Sequence, residues 1–493
     1  MTTRTRFAPS PTGYIHVGNV RSALFPYLLA KQQGGEFVLR IEDTDQARYV
    51  EGSQELILDT LKWLGINWNE GPDLGGPYAP YLQTERREHY IKWAERLIDR
   101  GLAYADPYTP EEVQAFREKS QAEKKAFLYR DYRPENPPVW DGTQPLRFKT
   151  TNIKRYTWND PIMGELSAGP EALDDFILIK SDGLPTYNFA HIVDDAEMNI
   201  THVIRGSEYV ASIPKYLSLY DAFGITEQGC AEGSIAVELL GDTSYARPIL
   251  ACVPHIMAPS GNKKLGKRDG AKSATEYRDD GILPEAMVNF LASMGWNDGT
   301  EQEIFSMNEL VEKFSLERVQ KSGARFDEQR LLWMNGQWIR RIELDDLFER
   351  VQNFWPASAA SVTDEYKKQV LALTQDRLKT LKDLPMLTEY FFTEPEQNLE
   401  LITSNKQLKK LSPEEISHLL KTVKTELEKI ENWTSESIQD TLNSLLETTG
   451  QKPGTLFSLV RIATTWAPFS PQLNDALELL GKERTFTRLD ALI

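Results

Sequence analysis

The sequence is poor in cysteine and has no long apolar run, and both deficits restrict what the chain can be. Only two of its 493 residues are cysteines, Cys230 and Cys252, so a disulfide scaffold and a four-cysteine zinc site are excluded. No stretch approaches the roughly 18 apolar residues that a membrane span needs. The first ten residues contain arginine but no apolar signal-peptide core. We therefore expect a cytoplasmic protein with reduced thiols and no membrane partner.

Positive charge is also in deficit. Asp and Glu number 73 and Lys and Arg 56, which gives a formal net charge of -17. This balance affects solubility and long-range steering, whereas phosphate binding requires only a local cationic groove. The composition therefore neither supports nor excludes a nucleic-acid partner.

An α/β pattern opens the chain. Residues 3–8 and 37–42 read as strands, and residues 19–31 between them have helical spacing. Pro26 is a misfit in that helix, since it removes an internal hydrogen bond, and it predicts a kink or an early helix end. A strand–helix–strand unit of this length predicts a right-handed crossover and a parallel sheet.

The remaining sequence changes character twice. Residues 86–186 mix charged helical segments with short strands, which predicts an α/β insert between two halves of one parallel-sheet domain. The interval 226–247 has scattered Gly, Ser and Asp, and we interpret it as a surface excursion. From residue 285 onward the pattern is almost wholly helical. At this length, three to five domains are expected.

The first motif with chemical potential is His16-Val17-Gly18-Asn19, at the turn from strand to helix. A helix N-terminus presents free N–H groups and the positive end of its dipole, which suits a phosphate, and Gly18 allows a close approach. His16 can donate a hydrogen bond to charge that develops on a phosphoryl oxygen. Taken alone, the tetrapeptide is equally explained by a turn histidine beside a helix cap.

The second motif is the cationic loop Lys263-Lys264-Leu265-Gly266-Lys267-Arg268-Asp269-Gly270. Its lysines and arginine can neutralise a triphosphate, and its glycines let the loop close over one. Alone, it is equally explained by a solvated basic loop. The joint occurrence of the two motifs, one at a strand-to-helix turn and one after the sheet, favours a shared nucleotide triphosphate.

Together these motifs resemble the two signature motifs of class I aminoacyl-tRNA synthetases. Their surroundings resemble the glutamyl-tRNA synthetases of bacterial type in particular, and the resemblance covers the whole chain in order. The further matching segments are residues 6–13, 40–45, 184–189, 193–195, 201–206 and 321–327.

The resemblance implies an α/β multidomain fold, with a Rossmann-like parallel-sheet catalytic domain split by an α/β insert and followed by an all-α C-terminal half. The implied divisions are the catalytic domain at 1–85 and 187–250, the acceptor-stem-binding insert at 86–186, a stem-contact domain with the cationic loop at 251–325, and a helical anticodon-binding region at 326–385 and 386–493.

The resemblance also assigns site residues. The implied glutamate-binding residues are Arg6, Ala8, Ser10, Glu42, Tyr187 and Arg205. The implied catalytic and ATP-binding residues are His16, Gly18, Asn19, Glu208, Lys264, Lys267 and Arg268.

The chemistry of these side chains agrees with that assignment. A glutamate carboxylate is best matched by the fork of an arginine, and Arg6 or Arg205 can therefore favour glutamate over neutral glutamine. Glu42 can hold the substrate ammonium from the carboxyl end of a strand, where ligands bind in open α/β sheets.

Several roles stay open from the residues alone. Arg40 and the acids at 43–45 form either a structural ion-pair cluster or part of the site, and Arg48 either braces Glu42 or joins that cluster. Tyr187 has a core role as its alternative.

The implied reaction forms glutamyl-adenylate from glutamate and ATP with Mg²⁺, then transfers glutamate to the 3′ end of tRNA(Glu). Whether tRNA(Gln) is also charged is left open. We expect a monomer without structural zinc, because the cysteines that bind zinc in some relatives are absent around residues 104–132. The alternative is a nucleotidyltransferase that acts on a small molecule, and it leaves the long helical tail unexplained.

A substitution in the cationic loop tests this reading. We expect Lys267→Ala nearly to abolish ATP–pyrophosphate exchange measured with glutamate and tRNA present, because the loop then loses a cation that faces the triphosphate. Exchange at the wild-type rate would remove the loop from the mechanism.

Overall fold

The chain folds as α/β structure in its first two thirds and as helices in its last third, in a computed structural model that describes residues 2–261, 263–266, 272–467 and 470–493. Two compact units are present. One comprises Met1–Tyr277 and Met287–Asp327, and the other Arg278–Ala286 and Glu328–Ile493.

The strands of the described residues are short. They are β1 Arg4–Phe7, β2 Glu36–Leu39, β3 Ala103–Ala105, β4 Leu146–Phe148, β5 Tyr156–Asp160, β6 Gly164–Ala168, β7 Ile177–Ile179, β8 His202–Gly206, β9 Ile249–Val253, β10 Ile256–Met257 and β11 Ala324–Arg325.

The α-helices within the described ranges run the length of the chain. They are α1 Val17–Gln32, α2 Ser53–Trp63, α3 Arg87–Asp99, α4 Pro110–Ala122, α5 Tyr187–Glu197, α6 Ile213–Phe223, α7 Ile235–Leu240, α8 Ala274–Asp279, α9 Pro284–Ser293, α10 Met307–Lys313, α11 Glu328–Ile339, α12 Leu344–Arg350, α13 Asp364–Thr374, α14 Leu384–Phe392, α15 Glu400–Thr403, α16 Pro413–Glu428, α17 Ser435–Thr449, α18 Pro453–Thr465, α19 Leu473–Leu480 and α20 Lys482–Asp490.

A four-stranded parallel sheet in the order β2-β1-β8-β9 organises the first unit. Strand β1 pairs with β2 through Phe7 and Leu39, and with β8 through Thr5 and His202, although nearly two hundred residues separate the last two in sequence. Because all four strands run the same way, their carboxyl ends share one edge, where ligands of such sheets bind. The predicted α/β fold with a split parallel sheet is confirmed.

Helix α1 passes through Pro26, so the expected early helix end is wrong. The helix is buried on most of its sides, and this packing outweighs the loss of one internal hydrogen bond. The carbonyl of Pro26 accepts a hydrogen bond from the buried Thr5 hydroxyl at 2.8 Å. The first strand and the first helix are thereby joined directly.

The interval 226–247 is exposed over much of its length, in line with its interpretation as a surface excursion, but a few apolar residues anchor it in the core. It contains helix α7, which begins after Ser234 with a side-chain cap on the Val237 N–H. Cys230, Ile235 and Tyr245 are all buried in the large core of the first unit. The scattered small and polar residues concealed these few apolar anchors, because no single periodicity runs through the interval.

The second unit is helical throughout α11–α20, which confirms the predicted all-α C-terminal region. Its helices bury apolar residues at helical spacing, as Leu420, Val423 and Leu427 of α16 illustrate. No helix in the described parts of the chain has the length and apolar character needed to cross a membrane.

Asp194 on α5 ties several segments of the first unit together. Its side chain is fully buried and accepts hydrogen bonds from Arg86 Nε at 2.7 Å, Gln83 Nε2 at 2.8 Å and the Tyr90 hydroxyl at 3.0 Å. Arg40 Nε lies 3.4 Å from the same carboxylate. A buried charge of this kind is retained only where each partner stays in place.

Neutralising Asp194 should therefore destabilise the first unit. We expect Asp194→Asn to lower its free energy of unfolding by about 3–5 kcal/mol, because two buried arginines lose a common counter-charge. Denaturant unfolding followed by tryptophan fluorescence would measure this. Asp99→Asn is the control, since Asp99 makes an exposed ion pair with Arg96 on α3 and its loss should change little. Equal stability of the two variants would contradict the expectation.

Candidate active site

A cavity of about 660 Å³ opens at the carboxyl edge of the parallel sheet. It lies wholly within the first unit, and the residues around it lie at the ends of β1 and β8, in the segments after β1, β2, β7 and β8, in the first turns of α1 and at the start of α5. The residues predicted from sequence that line it are Arg6, Ala8, Ser10, Asn19, Glu42, Tyr187, Arg205 and Glu208.

Backbone pairing brings the first two loops side by side. The Arg40 N–H donates to the Phe7 carbonyl at 3.0 Å, and the Glu42 N–H donates to the Pro9 carbonyl at 2.9 Å. Each loop therefore continues the β1–β2 ladder past the ends of the strands. This places Glu42 beside the segment that carries Ala8 and Ser10.

Arg40 lies beneath the cavity in a buried ion-pair cluster. Its guanidinium is within 3.1 Å of Glu42 and 2.9 Å of Asp195. Burial opposes its charge, but the surrounding carboxylates outweigh burial and raise the pKa of Arg40. Of the two alternatives for Arg40, the structure supports the ion-pair cluster.

The neighbouring acids and Arg48 have other partners. Asp43 accepts hydrogen bonds from the Thr84 N–H and hydroxyl at 2.9 and 2.6 Å. Arg48 pairs with Asp45 at 2.6 Å, so the expectation that it braces Glu42 is wrong. A three-residue 3₁₀ turn, Gln46–Arg48, carries Arg48 back over Asp45.

The two predicted carboxylate-binding arginines are in different electrostatic states. Arg6 is already engaged, with Nε 3.1 Å from Asp195 Oδ1 and Nη2 3.4 Å from Oδ2. Arg205 is buried, and no carboxylate among the described residues forms an ion pair with it. Its Nε has no hydrogen-bond partner there either. Arg205 is therefore the cation with capacity for an anionic ligand.

Aromatic faces surround the Arg205 guanidinium. Its Cζ lies 4.6 Å from the ring centre of Tyr209, 5.4 Å from Tyr216 and 5.6 Å from Tyr187. Burial alone would lower the pKa of Arg205, but Tyr187, Tyr216 and Asp195 outweigh it, and the pKa lies above its ordinary value. Tyr187 is half-buried and lines the cavity, so it is not simply a core residue.

The two acids of the cluster respond differently to burial. Burial raises the pKa of Glu42 above its ordinary value, despite Arg40, Arg6 and Arg205. For Asp195 the attraction of Arg6 and Arg40 exceeds the effect of burial, and the pKa falls well below the ordinary value. Glu42 is thus a buried carboxylate that a cationic ligand would stabilise.

His191 is a buried neighbour that the sequence did not single out. Its ring packs 5.0 Å from Tyr187 and 4.5 Å from Tyr216, and Nδ1 lies 3.7 Å from Asp195 Oδ2. Burial and the charge of Arg205 lower the pKa of His191 to about 3, so the ring is neutral. A histidine in an apolar helical pattern gives no sequence signal that it lies beside the site, whereas the adjacent pair Asp194-Asp195 belongs to a segment that the sequence did single out.

His16 and Gly18 are not among the residues that line the cavity. His16 caps α1, and its Nδ1 accepts a hydrogen bond from the Gly18 N–H at 3.1 Å. A Cβ atom on Gly18 would lie only 2.8 Å from His16 Cε1, so this cap requires glycine. The cap interpretation of the motif is therefore satisfied, and a phosphate role is an additional proposal.

The cationic loop contacts a residue of the cavity wall, because its Lys264 pairs with Glu208. Lys264 Nζ lies 2.8 Å from Glu208 Oε1, and His255 Nδ1 lies 3.5 Å from Oε2. Burial would raise the pKa of Glu208, but the hydrogen bond and charge of Lys264, a backbone hydrogen bond and the charge of His255 together outweigh it, and the pKa is lowered. Lys267 and Arg268 lie outside the described residues.

The cavity can thus hold a ligand with both kinds of charge. Glu42 offers a carboxylate for an ammonium group, and Arg205 offers a guanidinium for a carboxylate. Within the described ranges, no group of three His, Cys, Asp or Glu side chains is placed to hold a metal ion.

Comparison with known protein families matches most of the chain. The catalytic domain of the family described as tRNA synthetases class I (E and Q) matches residues 2–238 and 246–333, and an anticodon binding domain matches residues 346–493. The interruption between the two catalytic segments falls within the interval 226–247.

Curated relatives are similar over nearly their whole length. A glutamate–tRNA ligase of Clostridium botulinum is 40% identical over 494 residues, covering 99% of this chain and 97% of the relative. A glutamate–tRNA ligase of Halalkalibacterium halodurans is 39% identical over 505 residues, covering 99% of both chains.

Solved structures agree. A glutamate–tRNA ligase of Elizabethkingia meningosepticum, crystallised in complex with its amino acid, has a TM-score of 0.85 at 34% identity and covers 100% of this chain and 99% of its own. A glutamate–tRNA synthetase of Elizabethkingia anophelis has a TM-score of 0.83 at 32% identity, with 100% of both chains covered. The chain therefore belongs to the class I aminoacyl-tRNA synthetases, and within them to the glutamate–tRNA ligases.

Proposed function

We propose that the cavity binds L-glutamate and that the chain, as a glutamate–tRNA ligase, transfers it through glutamyl-adenylate to the 3′ end of tRNA(Glu). The observation that carries this proposal is the pairing of two unlike buried groups on one cavity wall. Arg205 is a cation without a carboxylate partner among the described residues, and Glu42 is a carboxylate with a raised pKa. Glutamate supplies a carboxylate to Arg205 and a further positive charge to Glu42, for which Arg40 does not offset the effect of burial.

Arg205 and Arg6 have different roles in the proposed glutamate pocket. Arg205 takes the side-chain carboxylate of glutamate, because its Nε has no hydrogen-bond partner, no described carboxylate forms an ion pair with it, and the surrounding tyrosines orient it. Arg6 keeps Asp195 as its partner and presents its remaining N–H groups to the substrate. Glu42 holds the ammonium group. Ala8, Ser10 and Tyr187 form the walls of the pocket.

The ATP side of the site uses the start of α1 and the cationic loop. The positive end of the α1 dipole, with His16, Gly18 and Asn19, receives the phosphates. Glu208 holds Lys264 in position, and Lys267 and Arg268 neutralise the triphosphate from the same loop. This chemistry requires positioning and charge stabilisation but no nucleophilic side chain.

Mg²⁺ fits this arrangement as a companion of ATP. The ion prefers oxygen ligands and is commonly held by substrate phosphates and water with one or two carboxylates. Glu208 lines the cavity and would share its carboxylate between Lys264 and the ion. When bound, it neutralises charge on the phosphates. The absence of structural zinc stays a prediction.

The wider assignments are proposals of the same kind. The insert at 86–186 contacts the acceptor stem, residues 251–325 contact the stem further along, and the helices of 326–385 and 386–493 bind the anticodon. Support comes from the anticodon-binding match at 346–493, which gives the helical region a function. A small-molecule nucleotidyltransferase would have no function for that region. We further propose a monomer in the cytoplasm, where tRNA and ATP are available. Aminoacylation of purified tRNA(Glu) and tRNA(Gln) in parallel distinguishes one tRNA substrate from two.

Replacing the fork of Arg205 by a point charge tests the pocket. We expect Arg205→Lys to lower kcat/KM for glutamate by about 10- to 100-fold, because a charge-assisted bond worth about 1.5–3 kcal/mol loses its geometry. The KM for ATP should change little. Arg96→Lys, in an exposed pair on α3, is the matched control. Unaltered glutamate kinetics in Arg205→Lys would refute the assignment.

Glu42→Gln should separate binding from stability. Since the folded-state pKa of Glu42 is raised, the native protein holds its proton more tightly than the unfolded chain does. The loss of stability caused by the charged form therefore grows as the pH rises from the ordinary pKa to the folded pKa, and it is complete above the folded value. Below the ordinary pKa this loss is absent. We expect the variant to unfold at pH 7.5 at no lower temperature than the wild type, while calorimetry shows weaker glutamate binding.

The pH dependence of binding gives the same test a second readout. Glutamate affinity of the wild type should fall as the pH drops through the raised pKa, because protonated Glu42 no longer attracts the ammonium group. The Gln variant should lack this step. A variant that binds as tightly as the wild type would exclude Glu42 from the pocket.

A further inference from the structure

Two cations at the cavity wall have no part in the scheme above. Arg48 follows the loop after β2, and Lys180 directly follows β7 in the insert, and both line the cavity. Each is paired with an aspartate, Arg48 with Asp45 at 2.6 Å and Lys180 with Asp182 at 2.7 Å. These pairs are more exposed than the cluster around Arg40, with Arg48 71% and Asp182 52% exposed.

Lys180 also joins the two sides of the opening. Its Nζ donates to the Thr44 carbonyl at 3.1 Å, so a residue of the insert is tied to the loop that carries Asp45 and Arg48. The turn behind it is held by a hydrogen bond from the Leu184 N–H to Asp182 at 2.9 Å. Lys180 of the insert therefore contacts the loop that carries Arg48, and both cations line the same cavity.

The energetics of these pairs favour exchange of partners. Exposed ion pairs contribute little to stability, and their charges can be transferred to another anion at small cost. Arg6 and Arg40, in contrast, are buried against carboxylates and cannot be released cheaply. Arg48 and Lys180 are thus available to a negatively charged ligand that approaches from solvent.

The formal charge of the chain sets a further condition. At -17, the protein as a whole repels a polyanion, so a nucleic-acid strand must meet cations locally. The reactive ribose of tRNA has to reach the glutamate held by Glu42 and Arg205. The cavity that these residues line also has Arg48 and Lys180 on its wall.

We propose that Arg48 and Lys180 bind backbone phosphates of the single-stranded 3′ end of tRNA as it enters the cavity, taking the places of Asp45 and Asp182. The proposal rests on the proposed function, because only tRNA charging brings such a strand to this opening. Entry of the strand also removes the Lys180 bond to Thr44, so that the insert and the loop after β2 are then joined through the RNA.

A binding cycle tests this assignment. The Kd of tRNA(Glu) is measured for the wild type, Arg48→Ala and Lys180→Ala, with intact tRNA and with tRNA that lacks its single-stranded 3′ end. We expect each variant to bind intact tRNA on the order of fivefold more weakly at 50 mM salt, with the salt slope reduced by about 0.7 per lost phosphate contact. Binding of the trimmed tRNA should not change.

Neutralising Asp182, the partner of Lys180, should have the opposite effect on tRNA binding. Asp182→Asn leaves an amide oxygen for the Leu184 N–H but frees Lys180, and we expect tighter binding of intact tRNA only. A misfolded variant cannot produce such a gain. Lys62→Ala is the matched control, since Lys62 is an exposed lysine paired with Asp73 and does not line the cavity.

The alternatives give different results. Equal weakening with both tRNAs would assign the two cations a structural role, and a raised KM for ATP with unchanged tRNA affinity would assign them to the triphosphate. Either result overturns the proposal. Failure of the proposed function is separate, because the wild type would then not aminoacylate tRNA(Glu) at all.

Discussion

The buried guanidinium of Arg40 is the group on which the site depends. It contacts Glu42, Asp194 and Asp195, and thereby joins the end of β2 to helix α5. Asp195 in turn fixes Arg6 of β1, while Asp194 fixes Arg86 before α3. Because low-dielectric surroundings make an unpaired charge costly, Arg6, Arg40 and Arg86 each require their aspartate partners. The cavity is built on this cluster, and its accessible charges are those that the cluster leaves unsatisfied.

This arrangement explains why one arginine and one glutamate stand apart from their neighbours. Asp195 is shared by Arg6 and Arg40, which leaves Arg205 without an acidic partner among the described residues. Glu42 has Arg40 nearby and still has a raised pKa, because burial costs it more than the attraction returns. In the proposed function, a zwitterionic ligand with an extra carboxylate interacts with both groups. The proposed selectivity of the pocket for glutamate then follows from how charges are distributed within the fold.

Much of this was predictable from the sequence. The strand–helix–strand opening and the helical C-terminal region have strong local patterns. The cavity residues that were predicted came from the family resemblance of their motifs, because each motif is ambiguous when taken alone. The identity of partners was less accessible, because Arg48 lies close in sequence to both Glu42 and Asp45, and only the 3₁₀ turn selects Asp45. The early helix end expected at Pro26 was wrong, because tertiary burial of α1 overrode a weak local preference. The buried anchors of the interval 226–247 were missed, because no single periodicity marks them.

The pairing of β1 with β8 determines when the cavity can form during synthesis of the chain. The cavity draws its walls from the segment before Arg48 and from the segment between Lys180 and Tyr209, and these meet only when β8 adds to the sheet. A nascent chain that has not yet emerged as far as β8 has the first motif and Glu42 but lacks Arg205. During synthesis, the amino-acid pocket must therefore form late, after the whole insert has been made.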